Sequence, residues 1–276
     1  MTPPGSSSRP WPLRIRRAEQ LARQHPFASE ILNFYRHVAG FQEYLYGKID
    51  ASGGTGSGIA PSGPLLGELD VLVLLPHFRE FLAVVEQHAP APLKESARQI
   101  ARLAPESWIA SLQAYWKDGR GEQERIEPLQ QFFPRAFLQP YAEYRAGLIP
   151  RALLFTTTNV CPLCQSRPLL GVLRPEGDGG KRFLMCSFCS HEWEFRRLLC
   201  AHCREEQEQK LPLYQAEEFP HIRLECCETC KHVLRTIDLT KDGHAVPLVD
   251  DLAAIPLGLW AEEHGYQRIQ ANLLWT

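Results

Sequence analysis

Through the first 155 residues, apolar side chains recur at intervals of three and four positions, the spacing that places them on one face of an α-helix. A short stripe of this kind starts at Leu13 and stops near Pro26, and a longer one stops at Gly47. The apolar face of the longer helix is predicted to consist of Ile31, Phe34, Tyr35, Val38, Phe41, Tyr44 and Leu45. We therefore expect this part of the chain to fold as a helical domain.

Five further helices are predicted before residue 155, and prolines separate most of them. Pro76 should bend or split the first of the five, because proline removes one backbone hydrogen bond and its ring clashes with the preceding turn. Pro105 occupies the favoured first position of another. Residues 51–58, rich in glycine and serine, are expected to form a flexible loop within the helical domain. The predicted helices are 69–85, 93–103, 106–117, 122–133 and 135–149.

After Phe155 the pattern changes to short strands and turns, which is typical of β-hairpins. The predicted strands are 169–173 and 183–185 around a turn at 175–180, 213–214 and 221–225 in a second unit, and outgoing segments at 191–195 and 232–237. We interpret this as an internal duplication. A closing helix follows, which Asp250 or Asp251 should cap and which ends at His264, with Pro256 straining its middle.

Cysteine is absent from the first 160 residues, and eight of the nine cysteines then form four Cys-x-x-Cys pairs. Such a pair directs two sulfur atoms at one tetrahedral ion, and a hairpin brings in the second pair. Hairpin-length inserts of 21 and 23 residues separate the pairs within each unit, so we predict consecutive grouping and two metal ions. The predicted ligands are Cys161, Cys164, Cys186 and Cys189 in the first unit, and Cys200, Cys203, Cys227 and Cys230 in the second.

Spacing alone does not choose between zinc and iron for such tetrathiolate sites. Cys227 repeats the two-residue spacing of the other pairs and leaves Cys226 as a buried, inert thiol. His202 is an alternative ligand, although four cysteines in its unit favour an exposed turn residue. Most arginines and lysines near the pairs are interpreted as solvated surface charges.

Paired cysteines would also suit disulfides in an oxidising compartment. No apolar signal segment follows Met1, and the polar residues Glu19 and Gln20 argue against an export signal behind Arg16 and Arg17. We therefore expect a cytoplasmic protein with reduced, metal-binding thiols. A thioredoxin-type redox role is disfavoured, because it requires an isolated pair at a helix N-terminus.

Composition and motifs argue against several classes of function. The formal charge is −2 and the pI about 6.6, which argues against the strongly basic surface of a nucleic-acid-binding zinc ribbon. The longest apolar run, 71–75, is far shorter than the ~20 residues of a membrane helix. The helical half contains no phosphate loop, nucleophile elbow or His-Glu-x-x-His motif, and we expect no enzymatic activity.

The predicted fold class is α+β multidomain, with an all-helical N-terminal domain followed by two tandem rubredoxin-like or zinc-ribbon metal knuckles and a C-terminal helix. A chain of 276 residues is long enough for one sizeable core plus a smaller appendage. The predicted divisions are a disordered tail 1–12, a helical domain 13–155, a first knuckle domain 156–198, and a second knuckle domain with the closing helix 199–276.

This order of features resembles the formate dehydrogenase accessory protein family, FdhE. The similarity covers nearly the whole chain but is most specific from residue 156 onward, with a weaker motif at 75–79. The matching motifs are Cys161-Pro162-Leu163-Cys164, Cys186-Ser187-Phe188-Cys189 followed by Glu192-Trp193, Cys200-Ala201-His202-Cys203, 225–230 and 250–253.

The resemblance implies a cytoplasmic accessory factor that binds the catalytic subunit of a respiratory, molybdenum-containing formate dehydrogenase and is needed for its activity before export. It also implies double-rubredoxin knuckles and favours iron over zinc. Rubredoxins usually place glycine after the second cysteine of each knuckle, where positive φ is required. Here those positions hold Gln165, Ser190, Arg204 and Lys231, at a cost of about 1 kcal/mol each.

Two other functions stay open: electron transfer or redox sensing by a rubredoxin-type iron protein, and nucleic-acid binding by a zinc ribbon. The sequence leaves undecided which metal is bound, whether it is redox-active, which face meets the partner, what Cys226 does, and whether the protein forms a homodimer.

Overall fold

The computed structural model describes residues 10–52, 66–117, 128–149, 158–177 and 179–274. Its first half is helical, as predicted, and none of the described helices combines the length and the apolar composition of a bilayer-spanning segment. Residues 53–58 of the predicted loop and 122–127 of a predicted helix lie outside the described residues. The helices are α1 (Trp11–Gln24), α2 (Ser29–Ala51), α3 (Val71–His88), α4 (Ala91–Ala101), α5 (Pro105–Lys117) and α6 (Pro128–Gly147).

Two helix boundaries differ from the predicted ones. α2 continues past Gly47 to Ala51, because its last turn buries Ile49 completely and packing outweighs the low helix propensity of glycine. α1 begins at Trp11, a residue assigned above to the disordered tail. Trp11 is fully buried, and the guanidinium of Arg14 lies 4.3 Å from its ring centroid, so this end of the chain is anchored by packing.

The two helices predicted on either side of Pro134 are one helix, α6, which also contains Pro140. A proline at position 140 deprives the carbonyl of Ala136 of its helical donor. The buried side chain of Gln42 in α2 replaces that donor, since its Nε2 donates to the Ala136 carbonyl at 2.7 Å. Pro76 likewise lies within α3 and does not split it. Sequence patterns alone do not reveal such compensation from a distant helix.

Within the described residues, seven strands form one sheet that runs through both hairpin units. In space their order is β3-β2-β1-β6-β5-β4, with β7 beside β6. The predicted hairpins are confirmed, although β1 and β2 extend into the turn predicted at 175–180 and β7 has no predicted counterpart. The strands are β1 (Pro168–Glu176), β2 (Gly179–Cys186), β3 (Glu192–Glu194), β4 (Leu213–Gln215), β5 (Ile222–Cys226), β6 (His232–Asp238) and β7 (Gln267–Arg268).

The two units join through β1 and β6, which run parallel. Gly171 of β1 is paired with Thr236 of β6 at this junction. A Cβ atom at position 171 would lie 2.2 Å from the Thr236 hydroxyl oxygen, so the close approach of the strands requires glycine there. The duplicated units therefore share one continuous sheet.

The described residues contain two hydrophobic clusters. The larger combines the helices with the first hairpin unit, where Phe188 packs edge-on against Tyr115 and Trp116 of α5 at centroid distances of 5.5 and 5.8 Å. The smaller lies between the sheet and the closing helices. A helical part, a sheet with two cysteine-rich knuckle units, and helices at the C-terminal side confirm the predicted fold class.

The predicted closing helix is two helices, α7 (Pro247–Ala253) and α8 (Ile255–Glu263). The cap prediction is wrong, because α7 starts before Asp250 and Asp251, and both aspartates are buried in ion pairs. Asp250 Oδ1 accepts from Arg17 Nη2 of α1 at 2.5 Å and lies 2.8 Å from His221 Nε2 of the second unit. These contacts connect α1 to α7 and to the second hairpin unit.

Asp251 forms a second buried ion cluster. Its carboxylate accepts from Arg268 Nη2 at 2.9 and 3.0 Å, from Arg235 Nη1 at 3.2 Å and from Asn272 Nδ2 at 2.8 Å. Burial opposes ionisation of this carboxyl, but the two guanidiniums and the amide lower the pKa of Asp251 below its ordinary value. The aspartate therefore stays charged in the folded protein at neutral pH.

Replacing Asp251 by asparagine should destabilise the protein by about 3–5 kcal/mol at pH 7, because Arg235 is left buried without its counter-charge. A depressed folded-state pKa stabilises the protein above the unfolded pKa, about 3.9, and that stabilisation is lost as pH falls through the folded value. The difference between the two proteins should therefore shrink below pH 4. Denaturant unfolding at pH 7 and in acid measures it, with the exposed Glu217→Gln as control. A constant difference at all pH values would contradict the assignment.

Candidate metal centres

The four Cys-x-x-Cys turns share one pattern of backbone hydrogen bonds. In each, the N–H of the first cysteine donates to the carbonyl five residues later at 2.9–3.0 Å. These pairs are Cys161 to Ser166, Cys186 to His191, Cys200 to Glu205, and Cys227 to His232. The N–H groups of Phe188 and His202 also point at the sulfur atoms of Cys186 and Cys200, both at 3.4 Å. Such donors favour the thiolate form that binds metal.

Each turn closes with a residue in the left-handed conformation, as the resemblance predicts. The φ angles are 63° at Gln165, 54° at Ser190, 65° at Arg204 and 56° at Lys231. Among the described residues, these are the non-glycine positions with positive φ. The left-handed backbone strain of the described chain is thus confined to the residues that follow the second cysteine of each pair.

The first centre brings together the sulfur atoms of Cys161, Cys164, Cys186 and Cys189. Measured S···S distances are 3.6 Å between Cys161 and Cys189, 3.3 Å between Cys164 and Cys186, and 3.7 Å between Cys164 and Cys189. A tetrahedral ion with metal–sulfur bonds of about 2.3 Å would hold its ligands about 3.8 Å apart. The four sulfurs therefore lie close to the separation that a metal requires.

The second centre repeats this arrangement. Cys200 and Cys230 are 3.8 Å apart at sulfur, and Cys203 and Cys227 are 3.7 Å apart. In both groups all four sulfur atoms lie within 4.8 Å of one another, so each group could hold one metal ion. The structure brings the eight cysteines together in the consecutive grouping that the hairpin lengths predict.

The two centres differ in burial. All four sulfur-bearing residues of the first centre are buried in the larger hydrophobic cluster. In the second centre Cys203 is exposed and Cys230 is half-buried. The first centre is therefore shielded from solvent, whereas one side of the second can be reached from it.

Helical side chains brace the first centre. Ser190 Oγ donates to Glu143 of α6 at 2.7 Å, and the same carboxylate accepts from Arg14 of α1 at 3.0 Å. Arg135 of α6, buried as well, donates to the Ser187 carbonyl at 3.1 Å. Sequence analysis missed these residues, because the only signal in the sequence is a charge among the apolar positions of a helix.

The clustered thiols do not ionise independently. Burial opposes ionisation of Cys164, but hydrogen bonds from Cys161, Cys186 and Cys189 lower the pKa of its thiol well below the ordinary value. Burial raises the pKa of Cys186 and of Cys189 well above it. Burial thus opposes ionisation of Cys164, Cys186 and Cys189, and a bound cation would favour their thiolate forms.

Burial and hydrogen bonds also shift the pKa values of the cysteines in the second centre. Burial raises the pKa of Cys200 to about 11. Burial also opposes ionisation of Cys227, but the backbone N–H groups of Cys230 and Thr229 lower its pKa below the ordinary value. Cys226 lies outside the cluster on β5, where burial raises its pKa to about 12 and keeps it a neutral thiol at pH 7. This is the buried, non-ligating residue that the spacing predicts.

His202 and Arg182 are less exposed than surface side chains, although an exposed turn residue is predicted at His202. His202 is half-buried, and its ring stacks on His232 at a centroid distance of 3.7 Å. Arg182 is buried, donates to the carbonyls of Arg196 at 2.7 Å and Leu199 at 3.2 Å, and pairs with Glu225. It therefore joins β2, the segment between the units, and β5.

Replacing Gln165 by glycine should stabilise the protein by up to about 1 kcal/mol, because glycine adopts positive φ without steric cost. Gln165 is exposed, so little else is lost. Gln165→Ala is the matched control, since it removes the same side chain and keeps the strain. Denaturant unfolding measures both, and equal stabilities of the glycine and alanine variants would refute strain at this turn.

Replacing Cys186 by serine should remove the ion of the first centre and disrupt the tertiary packing of both the hairpin and the helices, because the centre lies inside their shared core. Structural tetrathiolate sites supply ~10–16 kcal/mol of apparent binding free energy. Cys203→Ser, in the exposed centre, should lose one ion with a smaller effect on the helices. Metal analysis, near-ultraviolet circular dichroism and thermal unfolding test this.

The matched control for these two variants is Cys226→Ser, which changes a buried thiol outside both clusters and should keep two ions. Two ions and native-like tertiary signals in the Cys186→Ser protein would contradict a structural role for the first centre.

Family models match two consecutive stretches of the chain. Residues 160–197, which contain the first centre, match the FdhE central domain. Residues 198–275, which contain the second centre and the closing helices, match the FdhE C-terminal domain.

Individual proteins extend this similarity to the helical half. The chain is 26% identical over 269 residues to a protein FdhE homolog of Aquifex aeolicus, covering 94% of this chain and 93% of that one. A protein FdhE homolog of Pseudomonas aeruginosa is 34% identical over 149 residues, which cover 52% of this chain and 48% of the relative. The crystal structure of the FdhE protein from Pseudomonas aeruginosa superposes with a TM-score of 0.71 at 27% identity, over 96% of this chain and 95% of that one. Domain models, a relative aligned over nearly its whole length and a solved structure of the same fold agree that this chain is similar to FdhE proteins along nearly its whole length.

Proposed function

We propose that this chain is a metal-binding accessory protein without enzymatic activity, which binds the catalytic subunit of a respiratory formate dehydrogenase and is required for the activity or maturation of that enzyme. The observation that carries the proposal is the convergence of two groups of four cysteine sulfurs, in rubredoxin-like turns, on a chain similar to FdhE proteins. Thiolates used as ligands hold hairpins in place, and pre-organised hairpins are suited to binding another protein.

Each centre is proposed to hold one ion through the eight cysteines named above. Four thiolates suit both iron and zinc, and the family resemblance favours iron, with zinc as the alternative. The ion would supply positive charge to thiolates that the protein otherwise buries. The near-neutral net charge of −2 supports a protein partner over a nucleic acid.

The proposed compartment is the cytoplasm. There glutathione and thioredoxin keep thiols reduced, as ligation by eight cysteines requires. Disulfide formation within a cluster would remove two ligands at once and open the centre.

Electron transfer or redox sensing is a second candidate function. It is favoured by the exposed Cys203, which would bring an iron ion of the second centre near the surface. Reversible bleaching of the visible absorption of an iron tetrathiolate on reduction would support this function. A zinc-loaded protein with full binding activity would rule it out.

Full-length protein purified anaerobically should contain two metal ions per chain and capture the formate dehydrogenase catalytic subunit in a pull-down. Removing the metal with a chelator should weaken capture by about tenfold or more, because the loops lose the geometry that pre-organises them. Restoring the metal should restore capture, and the Cys226→Ser protein should behave as wild type. Sedimentation of the same samples distinguishes monomer from homodimer. Undiminished capture by the metal-free protein would refute the docking role of the centres.

A further inference from the structure

A cavity of about 350 Å³ opens beside the second centre, on the face of the sheet opposite α7 and α8. Its volume lies within the range of about 300–1,000 Å³ typical of ligand-binding sites. Cys200 and Cys227 form part of its wall, so its shape depends on the geometry of that centre. The apolar lining consists mainly of Leu173, Leu198, Leu199, Leu211, Leu213 and Leu234.

A buried donor of Arg182 has no acceptor at this cavity. Arg182 lines the cavity and is only 3% exposed. Its Nη atoms bond Glu225 and the carbonyls between the units, but its Nε–H has no hydrogen-bond partner among the described residues. That Nε atom has almost no accessible surface, so Arg182 supports the wall of the cavity and is not itself a contact for a bound molecule.

The charges around the cavity favour an occupant with a carboxylate. Arg182 is balanced by Glu225, and Arg223 by Asp238. Arg197, also in the lining, is exposed and has no ion-pair partner among the described residues. Arg197 therefore places one positive charge at the exposed side of the cavity, whereas a metal ion held by four thiolates would leave the wall at Cys200 and Cys227 negative.

The edge strand β4 borders the cavity through Leu213. β4 is the last strand of the sheet, and within the described part of the chain no strand pairs with its outer side. All three of its residues are exposed, and Leu213 is 58% exposed. An exposed edge of this kind is a template for an added strand, and its backbone groups are hydrogen-bond partners for an extended peptide.

We propose that this cavity and the edge of β4 together bind an extended segment of the partner subunit. Apolar side chains of the segment occupy the leucine-lined cavity, its backbone groups pair with the outer edge of β4, and an acidic side chain lies near Arg197. The inference rests on the proposed function and specifies the docking surface for it. It also explains why the second centre lies at the surface, since its cysteines shape the wall of the cavity.

The test compares surface variants of the full chain in binding to the purified formate dehydrogenase catalytic subunit. Leu198→Asp, Leu213→Asp and Arg197→Glu should each raise the Kd by about tenfold or more. Leu103→Asp is the matched apolar control, because Leu103 is 50% exposed and Leu198 49% exposed, and Leu103 does not line the cavity. Arg102→Glu is the matched charge control, since Arg102 is exposed, has no ion-pair partner among the described residues and does not line the cavity. Both controls should stay within about twofold of wild type.

Each outcome is informative once metal content and circular dichroism show that the variants are folded. If wild type binds the subunit and the three cavity variants bind equally well, the docking surface is wrong and the proposed function stands. If wild type does not bind the subunit at all, the proposed function fails and this inference fails with it. If wild type self-associates in sedimentation and Leu198→Asp or Leu213→Asp abolishes self-association without affecting subunit binding, the occupant is a second copy of the chain, which also overturns the proposal.

Discussion

The packing of the helices onto the first hairpin unit depends on how four buried sulfur atoms are neutralised. Thiolates are costly in an apolar core unless a cation accompanies them. The same knuckle that supplies Cys186 and Cys189 carries Phe188, which reaches α5. Binding of an ion and closure of the helical core are thus parts of one equilibrium, and neither half of the chain has a complete core without the other.

The duplicated units use the same Cys-x-x-Cys turn in two different environments. The first-cysteine N–H bonds and the left-handed conformations are the same in both, yet all four cysteines of the first unit are buried, whereas Cys203 of the second is exposed. The parallel junction at Gly171 joins them in one sheet, so that a single rigid platform carries a shielded centre and an accessible one. A buried group of cysteines and a more accessible group are thus separated in space although both are built from the same turn.

Local features of the sequence were the predictable ones. The cysteine pairs and their grouping follow from hairpin lengths, the left-handed positions from the resemblance, and Cys227 could be chosen over Cys226 by spacing alone. What failed depended on distant partners. The break predicted at Pro134 is absent, and at Pro140 of the same helix Gln42, far away in the chain, satisfies the carbonyl that the proline leaves without a donor. Asp250 has the residue type of a helix cap, but its partner Arg17 lies 233 positions earlier, and no local pattern indicates that pairing.

The 233 positions between Arg17 and Asp250 also determine when the two residues can pair during synthesis. A ribosome adding 5–20 residues per second needs roughly 10–50 s to proceed from Arg17 to Asp250. The first cluster is complete once Cys189 has been made, well before α7 exists to bind α1. From Cys189 to Asp250 the same rate leaves roughly 3–12 s, an interval in which an ion can reach ligands that the finished protein encloses.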